Sequence, residues 1–251
     1  MIAIVVGMHC SGTSNVAALL QRHGVVMGED HLLLPAPAAV GHLENPRFRI
    51  LNDRMAERRG YRVLSWDPDI PVCRPGAITR LRMRRLIRNC QDRYPAWGFE
   101  DPRSCLTLDS WLREIECLSA LDDTRIIHTV RDPEAVVRAM IGRAPVDAAT
   151  ALRLWNTYNE RVMRTIDAWP VPTHYIGFED LRDRPERSVR ALLHFMDLPE
   201  VDAPPASTGR AAPSASVRGE ADVLREAVSR MKMLMSRRVE ESQRSADRRA
   251  S

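Results

Sequence analysis

The chain has 251 residues, enough for one large domain with a full core, and its 44% apolar and 28% charged content is that of a soluble globular protein. No apolar run approaches the length of a membrane span, and "MIAIVVG" has neither the basic start nor the small-residue cleavage site of a secretory leader. The formal charge of +4 is a property of residues 203–251, where ten Lys or Arg face six Asp or Glu; the remainder balances at 27 of each sign, so no nucleic-acid partner is read from it.

Along the chain, "IAIVV" (2–6) is a short apolar run that reads as a buried strand, followed by a helical pattern in "SNVAALLQRHG". Residues 35–96 hold many Pro and Arg and little periodicity, which suits a variable insertion around a substrate mouth on the acceptor side. Three more apolar runs follow, "WGFE" (97–100), "RIIHTV" (125–130) and "THYIGF" (173–178). They alternate with helical patterns in "CLTLDSWLREIECL", "PEAVVRAMIGR", "TALRLWNTYNERVMRTIDAW" and "RPERSVRALLHFMDL". Strands alternating with helices, with no Asn-Gly hairpin signal, predict a parallel α/β sheet with right-handed crossovers over residues 1–200.

Residues 201–219 are rich in Pro, Ala and Ser and read as a linker. Helical periodicity returns within 220–251, a segment that ends in a basic tail. Leu224, Ala227, Val228, Met231, Leu234, Met235 and Val239 form one stripe over 220–243. The stripe predicts docking on the body, with a dimer or other partner contact as the alternative.

Five cysteines (Cys10, Cys73, Cys90, Cys105, Cys117) are odd in number and lack CxxC or CxxH spacing. They predict neither a disulfide framework nor a metal site, and they suit a reducing cytoplasm. Lys232 is the only lysine, so a cation at a site within the first 202 residues has to be arginine or histidine.

The stretch Gly7-Met8-His9-Cys10-Ser11-Gly12-Thr13-Ser14 has the form G-x-x-x-x-G-x-[ST], with Thr13 where a nucleotide-hydrolysing P-loop has lysine. Glycines at that spacing let the backbone curl into a nest of N–H groups that opens the following helix, and the helix dipole adds to its pull on an anion. Taken alone, it is either an anion cradle or a strand-to-helix turn that binds nothing. With the sheet, it gives a P-loop-type parallel sheet flanked by helices, plus a C-terminal helix after the linker.

"GMHCSGTSNVAALLQRHGVVMGE" resembles the P-loop of the bacterial sulfotransferase-like family, whose usual form reads G-M-H-R-S-G-T-S. The resemblance continues in order through "GHLENPRFRILNDRM", "WGFEDPRSCLTLDSWL", "RDPEAVVRAM" and "IGFEDLRDRPERSVRALLHFMDLP". It implies 3′-phosphoadenosine-5′-phosphosulfate (PAPS) as donor, no metal, and sulfonyl transfer to a hydroxyl or amine of a small molecule or glycan. It places Gly7, Cys10, Ser11, Gly12, Thr13 and Ser14 around the 5′-phosphosulfate and Arg131 on the 3′-phosphate. Arg138 stands seven residues further on nearly the same helix face, and Arg103 with Asp101 at a sheet edge, where they bind or only brace the loops. The base that takes the acceptor's proton is expected at Glu44 or, second, His42, with His9 orienting the loop.

Three positions depart from the family pattern. Cys10 replaces arginine, Glu100 stands where "K-D-P-R" carries lysine, and Ala139 replaces a serine. Arg22, Arg47, Arg49 and Arg103 are the arginines considered as replacements for the lost charge. A sulfotransferase is the first reading, a catalytically lapsed relative acting as a binding or scaffold protein the second, and an ATP- or GTP-dependent phosphoryl transferase the third.

Overall fold

The computed structural model describes residues 1–28, 44–200 and 222–249. The linker at 201–219, residues 35–43 and His42 lie outside them. Four strands are described, β1 (Ile2–Val6), β2 (Trp97–Glu100), β3 (Thr124–Val130) and β4 (Thr173–Gly177), and they form one parallel sheet in the order β2-β1-β3-β4. All four match the apolar runs of the sequence, as they should where both faces of a strand are covered and little alternation survives.

The helices are α1 (Thr13–Arg22), α2 (Pro46–Glu57), α3 (Ala77–Arg93), α4 (Ser104–Glu116), α5 (Pro133–Ile141), α6 (Ala148–Ala168), α7 (Phe178–Asp183), α8 (Pro185–Phe195) and α9 (Asp222–Arg249). Ala3, Val5, Ile127 and Ile176 face one side of the sheet and pack with Val16, Ala17 and Leu20 of α1 and Leu192 of α8. Ile2, Ile4, Val6, Ile126 and Tyr175 face the other, against α2, α4, α5, α6 and α9. Period-two alternation along each strand thus divides the apolar side chains between two layers of helices.

Residues 44–96 hold two α-helices where little periodicity was readable. Asn45 caps α2 by accepting from the Arg47 N–H at 3.0 Å, and Pro46 fits the first helical turn. Phe48, Leu51 and Met55 of α2 and Met83, Leu86 and Ile87 of α3 are buried in the main core. Phe48 stacks on Phe99 with ring centroids 4.3 Å apart. The segment is therefore built into the domain.

The C-terminal helix α9 docks on the body: Val228, Met235 and Val239 are buried, while Leu234 is 41% exposed. The Tyr175 N–H of β4 donates to Ser242 Oγ at 3.1 Å, so α9 also satisfies a backbone group on the sheet edge. Among the described residues no helix is long and apolar enough to cross a membrane.

Candidate active site

The chain leaves β1 for β2 on one side and β3 for β4 on the other, so the carboxyl ends of β1 and β3 form the topological switch point where α/β sheets hold ligands. The 7–12 loop lies there. Gly7 has no room for a side chain, since a Cβ would stand 2.1 Å from Thr129 Oγ1. Gly12 adopts φ 88°, and a Cβ would meet the Phe178 ring at 2.4 Å. Both glycines are required, one by close approach and one by handedness as well.

Gly12 precedes the first residue of α1 and no side chain caps that helix, so its first N–H groups open into the loop. Ser11 and Thr13 are buried, and the Ser11 N–H closes a turn onto the Met8 carbonyl at 3.0 Å. Ser14 is half-buried one position further. The segment from Gly7 to Ser14 is brought together as its spacing predicts.

Two arginines converge on Cys10, which is held at φ 66°, a left-handed conformation uncommon for a residue with a side chain. Arg131 Nη1 donates to the Cys10 carbonyl at 2.7 Å, and its guanidinium lies 4.2 Å above the Phe178 ring centroid. Arg143 Nη1 stands 3.9 Å from the Cys10 Sγ. Burial pushes the Cys10 thiol up, against the opposing pull of Arg143 and Arg131, so it is a neutral thiol at physiological pH.

The surface ion pairs open to Arg131 from its sequence neighbours are taken by other partners. Asp132 caps α5, accepting from the N–H groups of Glu134 and Ala135, and pairs with Lys232. Glu134 pairs with Arg138 at 3.7 Å. Arg131 is left to the loop and to Phe178; burial works against its charge, and Glu179 supports it.

Arg103 is committed elsewhere. Its guanidinium pairs with Glu44 at 3.1 Å, Asp53 at 2.8 Å and Asp101 at 2.9 Å. Burial opposes its charge, but these three carboxylates hold it firmly protonated. Asp101 also accepts from Asn52 Nδ2 at 2.8 Å, and Asn52 Oδ1 accepts from Thr107 and Trp111, each at 2.8 Å. This network ties α2, the turn after β2 and α4 into one rigid wall beside the loop. Glu44 stands at that wall, with Oε2 bound to Arg103.

His9 packs edge-on against Trp66 and Tyr158, with centroids at 5.1 and 5.8 Å. Burial first and Arg103 second pull its pKa down to about 3, so it stays neutral, and its buried Nε2 has no hydrogen-bond partner. Its ring contacts hold it within the loop. Glu100 is fully buried at the end of β2, and burial raises its pKa to about 8, with Thr13 opposing the rise and Glu44 and Asp101 adding to it.

Of the arginines considered for the lost charge, Arg22 ends α1, about 15 Å along that helix from the loop. Arg47 and Arg49 lie in the first turn of α2. Arg143 was not anticipated. It follows α5 in a turn with no motif of its own, and only the packing of α5 against the sheet brings it to Cys10. Asn52, Phe178 and Glu179 were missed for the same reason, although "GFED" lay inside a recognised block.

The sequence matches the model of the Sulfotransferase family over residues 3–203. No curated protein matches it. Among solved structures, the sulfotransferase domain from the curacin biosynthetic pathway is similar, with TM-score 0.51 and 16% identity over 80% of this chain and 75% of that one. The sulfotransferase domain of the Synechococcus PCC 7002 olefin synthase is similar too, with TM-score 0.50 and 18% identity over 80% of this chain and 74% of that one. These likenesses are of fold, and with the match across most of the chain they lead to one statement: the chain belongs to the Sulfotransferase family.

Proposed function

We propose that the chain transfers a sulfonyl group from PAPS to a hydroxyl or amine of a small molecule or glycan. The observation that carries this reading is the convergence of Arg131 and Arg143 on Cys10 at the uncapped start of α1. With Arg143 the chain brings to the loop, from a turn distant in sequence, positive charge that position 10 itself lacks.

PAPS supplies the activated sulfonyl group when bound. The chain's residues supply the rest: amides of the 7–14 loop and the Ser11, Thr13 and Ser14 hydroxyls bind the 5′ anion, Arg143 balances its charge, and Arg131 is assigned to the 3′-phosphate. Arg138 lies on α5 beyond Arg131 and extends the basic edge toward a 3′-phosphate, shared with Glu134. Glu44 is assigned to the acceptor's proton, held in place by Arg103, and residues 44–96 shape the acceptor side.

A second reading, a lapsed relative that binds without transfer, draws on Glu100, a carboxylate at a position where the family carries lysine. The two separate in a chemical test. Purified protein is incubated with PAPS and a panel of phenols, alcohols, amines and glycans, and 3′-phosphoadenosine-5′-phosphate is followed by ion-exchange chromatography. Acceptor-dependent release of the bisphosphate supports transfer. Tight binding with no release across the panel would favour the lapsed reading.

A further inference from the structure

Glu100 is paired in register with Val5, the residue two positions before the loop begins. It is fully buried, and neither carboxylate oxygen has a hydrogen-bond partner. An ionised carboxylate in that condition is among the most unfavourable groups a fold can contain, and such a group keeps its proton instead. The Thr13 side chain lies beside it and is the chief neighbour favouring its charge, although no hydrogen bond is completed between them.

The groups facing Glu100 come from four places. Thr13 comes from α1, Glu44 from the segment before α2, Asp101 and Arg103 from the turn after β2, and Cys105 from α4. Glu44 and Asp101 disfavour a further negative charge. Arg103 favours it, but its guanidinium is already shared among Glu44, Asp53 and Asp101. Burial holds the Cys105 thiol neutral.

Thr13 and Glu100 therefore occupy, side by side, two positions that are lysines elsewhere: one in nucleotide-hydrolysing P-loops, the other in the "K-D-P-R" pattern. We propose that Glu100 is a positioning residue that acts as a carboxylic acid, donating its proton to Thr13 Oγ1 so that the Thr13 hydroxyl hydrogen is turned toward the anion held in the 7–14 loop. Once ionised, Glu100 accepts from Thr13 instead. The ligand then loses a donor and faces a negative charge beneath the loop.

This inference rests on the loop being the anion site. Its test is a calorimetric titration of the full chain with 3′-phosphoadenosine-5′-phosphate from about pH 7 to about pH 9, where the ligand's own phosphates, with a second pKa near 6, no longer change charge. His9 stays neutral throughout, and Cys10 is pushed above its ordinary range. The wild-type dissociation constant is expected to rise about tenfold one pH unit above the Glu100 midpoint. Glu100→Gln, whose amide still donates to Thr13, should match wild type at pH 7 and stay flat to pH 9. Glu100→Ala should be weak at every pH, a loss that a merely structural role would not confine to Ala while sparing Gln.

Equal pH profiles for wild type and Glu100→Gln would overturn the proposal while leaving the anion site in place. Equal affinities for Glu100→Gln and Glu100→Ala would do the same. No binding by any of the three at any pH would remove the anion-site reading, and this proposal with it.

Discussion

Arg143 Nη1 lies 3.9 Å from Cys10 Sγ, so a guanidinium from the turn after α5 reaches the loop position where the family carries its own arginine. A positive charge thus stands beside position 10 on a neighbouring element. Because Arg143 is exposed and screened, Arg143→Ala should weaken 3′-phosphoadenosine-5′-phosphate binding by about 1 kcal/mol, roughly fivefold in Kd. The loss should shrink at high salt, which calorimetry at two ionic strengths checks.

Cys10→Arg places a third guanidinium where Arg143 and Arg131 already converge. Restoring a donor at developing charge is expected to raise turnover by up to about 3 kcal/mol, roughly a hundredfold. The gain should be larger in the Arg143→Ala background, where the new side chain meets less repulsion. Additive effects across the four-member cycle would show that the two positions do not share a task.

Glu100 also makes stability depend on pH. Its folded pKa is raised from 4.5 to about 8, so between those values the folded chain holds a proton that the unfolded chain has lost. Stability falls wherever the folded state binds more protons as pH rises. The melting temperature of wild type relative to Glu100→Gln should decline from about pH 4.5 to about pH 8 and level off above it. A constant difference across that window would mean that Glu100 is ionised in the fold.

Asn52→Ala removes the partner of Asp101, Thr107 and Trp111 at once. Leaving the buried Trp111 N–H unsatisfied, and taking one partner each from Asp101 and Thr107, should cost about 2–4 kcal/mol and lower the melting temperature by roughly 10 °C. Calorimetric unfolding measures this directly, and Arg103, braced through Asp101, should lose order with it.

The register of α9 has its own test. Met235 is buried and Leu234 is 41% exposed on the same helix. Met235→Ala should cost about 2–4 kcal/mol, whereas Leu234→Ala should stay within about 0.5 kcal/mol of wild type. Chemical denaturation of the two variants separates a docked helix from one facing solvent on all sides.

The sheet was legible because a strand covered on both faces is a run of apolar residues, as "IAIVV" and "RIIHTV" are. The loop was legible because Gly7 and Gly12 meet fixed steric demands at fixed spacing. The helices of residues 44–96 were hidden by their arginines: α3 places Arg80, Arg82, Arg84, Arg85 and Arg88 around Met83, Leu86 and Ile87, and the long charged side chains blur its apolar stripe. Arg103 was readable as a residue near the site, but its partners Glu44 and Asp53 come from a segment about fifty residues away. Arg143 reaches Cys10 only through tertiary packing, which no local pattern records.

The most direct measurement is a calorimetric titration of the purified chain with 3′-phosphoadenosine-5′-phosphate, with ATP run in parallel at pH 7. The expected result is micromolar binding of the bisphosphate, well ahead of ATP. Preference for ATP, or silence for both nucleotides, would contradict a PAPS site at the 7–14 loop.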